Sequence, residues 1–191
     1  MIRRQDEGAL TILTLARPDK ANSLTRAMME TLLADLRDAG VGQQAVILTG
    51  TGPVFSAGAD LDEARAGLAT DPIWEALSGT LAALPCLTIA ALNGTLAGGA
   101  FGMALACDIR LGVPGAKFFY PVMKLGFLPQ PSDPGRLAAL IGPGRARMIL
   151  MGGARIEAAE ALAWGLIDRL TTTEGLLDDA RALAADACAA P

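Results

Sequence analysis

The sequence contains no histidine, and that absence removes several chemistries at once. Ser-His-Asp and Cys-His nucleophile systems, histidine-ligated zinc hydrolases and any imidazole proton shuttle are excluded. Proton transfer must therefore use a carboxylate, tyrosine, lysine, cysteine or bound water. Positive charge is also scarce: 16 Lys and Arg stand against 20 Asp and Glu, for a net charge of −4. Without a basic cluster to neutralise phosphates, nucleic acid is not the expected partner. Cysteines number three, Cys86, Cys107 and Cys188. With no Cys-x-x-Cys spacing they read as buried reduced thiols of a cytoplasmic protein, not as a disulfide or metal framework. Met1 to Gly8 is charged and has no apolar stretch behind it, so a signal peptide is not expected.

What is present is apolar: 52% of the 191 residues are hydrophobic, and mean hydropathy is +0.39. That length suits one domain with a real core. Leu84 to Cys107 runs without a charge and carries Gly94, Gly98 and Gly102 at small-xxx-small spacing, which raises the question of a membrane helix. Pro85, Thr88, Asn93, Gly94 and Thr95 interrupt it, so the stretch reads as buried strand, loop and buried helix, with no membrane partner.

Ala9 to Leu15 alternates apolar residues with threonine and predicts a strand. Leu24, Met28, Leu32 and Leu36 recur at spacing four up to Gly40 and predict a helix. Ala45 to Thr49 reads as a buried strand, giving a β-α-β order and an α/β layer fold. Further helices are expected over Pro72–Leu84, Gly98–Ala106, Pro134–Ile141, Gly144–Met151, Glu157–Trp164 and Glu174–Ala190. Further strands are expected over Leu87–Leu92, Ile109–Val113 and Ala116–Tyr120.

Two glycine-containing loops each follow a buried strand and enter a helix-like segment: Phe55 to Leu61, and Asn93 to Gly102. Small residues there let a ligand approach unpaired backbone N–H groups, and two converging N–H groups make an oxyanion hole. Any one of these glycines is explained equally by tight turns, and neither loop has a phosphate-binding pattern.

Together the segments Leu15-Ala-Arg-Pro-Asp-Lys-Ala-Asn-Ser-Leu24, Phe55-Ser-Ala-Gly-Ala-Asp-Leu61, Ala90-Ala-Leu-Asn-Gly94, Ala104-Leu-Ala-Cys-Asp-Ile-Arg110, Lys124-Leu-Gly-Phe-Leu-Pro129 and Ala158 to Asp168 resemble the crotonase superfamily, the enoyl-CoA hydratase/isomerase family. The resemblance implies an α/β fold, a spiral of repeated ββα units, with a crotonase-like acyl-CoA-binding core over 1–170. Only 171–191 then remains, enough for one helix of a shortened C-terminal helical end. It implies an acyl-CoA thioester as substrate, with coenzyme A as part of that substrate and no separate cofactor. It further implies a homo-oligomer, trimer or hexamer, whose usual contacts the short end puts in question. The oxyanion N–H groups fall on Ala59 and Gly99. Substrate-binding positions fall on Lys20, Ala21, Ser23, Leu24, Ala57, Gly58, Asp60 and Leu61.

The departures bear on the reaction. The family's two catalytic glutamate positions fall on Gly102 and Val122, neither of which transfers a proton, so two-glutamate hydration is not expected. Asp133 is the leading replacement carboxylate, and Tyr120, the only tyrosine, is a second acid/base candidate. Against this, Ser132 or Asp133 is expected to cap the helix that follows, and Tyr120 to serve as a core aromatic. The leading reading is a lyase, isomerase or decarboxylase of fatty acid metabolism acting through an enolate. The alternative is a catalytically silent acyl-CoA-binding or subunit-interaction protein on the same scaffold.

Overall fold

The computed structural model describes residues 1–190. Its first strand, β1 (Ile2–Glu7), alternates between half-buried and exposed residues and pairs antiparallel with β2 (Leu10–Leu15) across a turn at Gly8, whose φ is +62°. The charged alternation of β1 is that of an edge strand, which is why its few apolar residues did not announce it. Helix α1 (Arg26–Ala39) opens on Thr25, whose hydroxyl accepts from Met28 N at 3.2 Å, and buries Met28, Met29, Leu32 and Leu36. Leu24, assigned to this helix by its spacing, instead lies before it and forms a parallel bridge with Ala59.

The chain continues through β3 (Ala45–Gly50), β4 (Val54–Ser56), α2 (Leu61–Arg65), α3 (Ile73–Ala82), β5 (Leu87–Leu92) and β6 (Thr95–Ala97). A 3₁₀ turn at Gly98–Ala100 leads into α4 (Phe101–Ala106), followed by β7 (Ile109–Gly112), β8 (Lys117–Phe119) and the short α5 (Val122–Leu125). Last come α6 (Asp133–Ile141), α7 (Pro143–Leu150), β9 (Arg155–Glu157), α8 (Ala158–Trp164), β10 (Arg169–Leu170) and α9 (Leu176–Ala189).

Strand pairs β3/β4, β5/β6 and β7/β8 each send their first member to a six-stranded sheet, ordered β1-β2-β3-β5-β7-β10, and their second to a four-stranded sheet, ordered β4-β6-β8-β9. Pairing from β2 to β10 in the large sheet is parallel. The continuous apolar run of β3 is what a parallel strand covered on both faces requires. Helix α9 buries Leu176, Ala180 and Ala184 and packs on β3, β5 and β7.

The uncharged stretch Leu84 to Cys107 resolves into β5, β6 and α4, and among the described residues no helix is long and apolar enough to cross a membrane. All three cysteines are free, but only Cys107 is buried, where burial pushes its thiol up to about 12. Cys86 and Cys188 are half-buried, which corrects the expectation for those two.

Candidate functional site

The segment before α1 lies alongside the first glycine loop. Ala57 N donates to Ala21 O at 3.0 Å, Leu24 N to Gly58 O at 2.8 Å and Asp60 N to Leu24 O at 2.9 Å. Asn22 holds this junction. It is fully buried with φ +50°, its Oδ1 accepts from Arg17 N, and its Nδ2 donates to Thr51 O and Val54 O at 2.8 and 2.7 Å. Asparagine tolerates the left-handed region better than other non-glycine residues, and its amide supplies both donor and acceptor. Asn22 lies inside the segment Leu15 to Leu24, where no neighbouring residue marks it as the side chain that holds the junction.

Of the expected binding positions, several have side chains committed to the fold. Asp60 caps α2 through Asp62 N and Glu63 N and pairs with Arg17 at 2.8 Å, and the Arg17 guanidinium holds its carboxyl below the usual range. Arg17 also donates to Ser23 O and Oγ, and Leu24 is fully buried. Lys20 is exposed at the end of a 3₁₀ turn, and Leu61 is 67% exposed.

The second glycine loop meets the first. A Cβ built on Gly58 would stand 3.4 Å from Gly99 N, so the backbones of the two loops are in contact. Gly99 packs against Trp74, where a Cβ would come within 3.1 Å of the indole. Trp74 is itself fixed by donating Nε1 to Leu68 O at 2.7 Å. Trp74 was not singled out from sequence, because a tryptophan on an apolar helix face reads as core.

Ala57, Ala59, Gly98 and Gly99 all line a cavity of about 380 Å³, within the roughly 300–1,000 Å³ of small-molecule sites. Ala59 N makes no hydrogen bond within the protein among the loop contacts, and Gly99 N lies in the first turn of its 3₁₀ helix, where no intrahelical acceptor exists. The remaining wall includes Leu61, Ala64, Trp74, Val122, Leu125 and Phe127, and Arg65 is its single charged side chain. Val122, where the resemblance implies the second family glutamate, is on the wall and apolar.

Tyr120 lines the same cavity. It is 1% exposed, stacks on Phe101 at 5.4 Å, and borders the cavity together with Gln130. Its hydroxyl donates to Asp133 Oδ2 at 2.7 Å and accepts from Gln130 N at 3.3 Å. The expected helix-cap role of Ser132 or Asp133 is overturned. Ser132 occupies the cap position of α6, yet its hydroxyl and N–H both go to the carboxylate of Glu75 on α3, and neither side chain caps the helix. Asp133, 0% exposed, points inward instead, with Oδ1 lacking any partner. Glu75 was not identified from sequence, because nothing local ties α3 to a loop so far downstream.

Burial pushes the Asp133 carboxyl up to about 7; nearby Glu75 adds to the rise, while the Tyr120 hydrogen bond and Arg136 oppose it. Burial and the neighbouring Asp133 raise the Tyr120 phenol above its ordinary value, so it stays neutral at physiological pH. A Cβ added at Gly102 would stand 2.9 Å from Asp133 Oδ1. The carboxylate from α6 therefore borders the space into which a side chain on residue 102 of α4 would project.

The enoyl-CoA hydratase/isomerase family model matches residues 5–191. The protein of Mycobacterium tuberculosis named probable enoyl-CoA hydratase echA6 is 38% identical over 184 residues, 95% of this chain and 73% of its own. Carnitinyl-CoA dehydratase of Citrobacter koseri is 37% identical over 186 residues, 93% of this chain and 70% of its own. The crystal structure of enoyl-CoA hydratase EchA8_6 from Mycobacterium marinum superposes with a TM-score of 0.90 at 32% identity, over 100% of this chain and 92% of that one.

Proposed function

Since the chain belongs to the enoyl-CoA hydratase/isomerase family of the crotonase superfamily, we propose that it binds an acyl-CoA thioester and stabilises the enolate in an oxyanion hole made by Ala59 N–H and Gly99 N–H. The observation that carries this reading is the convergence of the two glycine loops on the wall of an apolar cavity. Fixed donors aimed at an oxygen that gains charge are commonly the largest catalytic contribution in acyl chemistry, and being part of the backbone they need no particular side chain. Two-glutamate hydration is not part of the proposal, because Gly102 and Val122 carry no acid or base. A lyase, isomerase or decarboxylase acting through the enolate is favoured over a catalytically silent acyl-CoA-binding protein, since a buried carboxylate and phenol stand beside the cavity.

Calorimetry with hexanoyl-CoA and with its thioether analogue S-hexyl-CoA, which lacks the carbonyl oxygen, tests the oxyanion hole. Two hydrogen bonds to that oxygen predict binding of the thioether about tenfold weaker or more. Equal affinities overturn the assignment of Ala59 and Gly99, and absence of binding by either compound overturns the acyl-CoA reading itself. Crotonyl-CoA is expected to show no hydration, followed by the absorbance of its conjugated thioester.

A further inference from the structure

Tyr120 lines the cavity, its neutral hydroxyl is backed by the buried carboxylate of Asp133, and the phenol is held from several directions. Gln130 N and Asp133 Oδ2 fix the Tyr120 oxygen, and Phe101 fixes its ring. The loop carrying Gln130 and Ser132 is tied to Ala69 O and to Glu75. Asp133 Oδ1 has no partner, although it is fully buried, and it faces the place where Gly102 has no side chain. A buried carboxylate oxygen without a hydrogen bond is costly and calls for an explanation.

From this geometry we infer that Tyr120 takes and returns the proton on the carbon next to the thioester carbonyl, with Asp133 behind it as the positioning residue that stores the transferred proton. The inference rests on the reading of Ala59 and Gly99 as oxyanion donors. In the forward step the Tyr120 oxygen accepts the α-proton as its own hydroxyl proton passes to Asp133 Oδ2. The C–H electron pair becomes the C=C bond of the enolate, and the carbonyl π pair moves onto the oxygen held by the two N–H groups. The reverse step returns a proton to carbon and restores the carboxylate. No oxidant or second reactant is needed. The resting arrangement suits this order, because the hydroxyl hydrogen already points to Asp133. Gly102 is the permissive partner: without a side chain it leaves room for the carboxylate that arrives from α6.

The ionised carboxylate is the form that accepts, so the step speeds up as pH rises through the Asp133 pKa, near 7. The groups that set this value are Tyr120 after β8, Glu75 on α3 and Arg136 on α6, while α4 presents no titratable side chain.

Deuterium incorporation at C2 of hexanoyl-CoA in D2O, read by mass spectrometry, tests the inference without requiring knowledge of the net reaction. The wild-type protein is expected to catalyse exchange, with a rate that climbs between about pH 6 and 8. Tyr120→Phe is expected to slow exchange by about 100-fold or more while hexanoyl-CoA affinity changes by less than about twofold. Asp133→Asn is expected to slow it by about tenfold or more and to abolish the pH-dependent rise. Gly102→Ala, which crowds Asp133 Oδ1, is expected to shift that rise along the pH axis; thermal unfolding establishes that each variant folds, and if Tyr120→Phe does not, the two other variants decide. Undiminished exchange in Tyr120→Phe, or an unchanged pH profile in Asp133→Asn, overturns the relay. A wild-type protein that binds hexanoyl-CoA without exchanging its α-protons also overturns the relay but leaves acyl-CoA binding standing. Failure to bind removes the reading of the site on which the relay rests.

Discussion

Asp133 is fully buried, accepts one hydrogen bond from Tyr120 and leaves Oδ1 unpaired, so folding disfavours its ionised form. Its folded pKa, about 7, lies above the value of about 4 typical of an unfolded aspartate. The folded chain consequently binds more protons than the unfolded chain between those values. Stability contributed by this group is fully present below about pH 4 and declines as pH rises toward 7. Asp133→Asn removes the ionisation while keeping an acceptor for the Tyr120 hydroxyl. At pH 8 this variant is expected to be more stable than wild type by about 2 kcal/mol, a Tm gain of roughly 4–8 °C. The gain should vanish near pH 4, as scanning calorimetry across pH would record. At this scale the sequence disclosed a carboxylate and a tyrosine near an expected pocket, but not their bond. Ser132-Asp133-Pro134 has the local pattern of a helix start, and only the position of α3, whose Glu75 claims Ser132, turns Asp133 inward.

Among the elements, the segment joining β2 to α1 has the strongest dependence on a single side chain. Asn22 connects it to the ends of β3 and β4 through two hydrogen bonds, and braces it internally through a third from Arg17 N, while adopting a left-handed backbone. Asn22→Ala orphans Arg17 N and Thr51 O, takes from Val54 O the closer of its two amide donors, and retains an unfavourable φ for alanine. A loss of about 3 kcal/mol is expected in urea unfolding, together with weaker hexanoyl-CoA binding, since the Gly58–Ala59 backbone is docked on the same segment. Long periodic elements such as α1 and the central strands β3 and β5 were legible because one apolar pattern fixes both type and face. Strands β4, β6 and β9, of three residues each, were not, because no apolar and aromatic run marks them as Phe118–Tyr120 marks β8, and they exist only through pairing with distant partners. Leu24 shows the opposite failure: its spacing continued a helical pattern, but its backbone was required by Gly58 and Asp60.

For the molecule as a whole, Arg110 joins the parallel sheet to the segment after α8. It is nearly buried and donates to Cys107 O and Leu166 O as well as to Asp168. Arg110→Met keeps much of the volume but strands two carbonyls, while Asp168, 44% exposed, recovers its hydration. A destabilisation of about 2–3 kcal/mol in chemical denaturation is expected. By contrast, Arg181→Ala, which breaks a surface pair with Glu7, should leave the denaturation midpoint almost unchanged in the same assay.

The spiral, which sends successive strands of each pair to different sheets, also sets when during folding the site comes into being. Ala59 and Gly99 meet only after parallel strands separated by intervening helices have aligned, and the contacts that dock the first loop on Ala21 and Leu24 and on the second loop all reach across the sequence. Closing such long chain segments is entropically slow. The oxyanion donors therefore converge late, and a collapsed chain that already has its early helices is still unable to recognise a thioester.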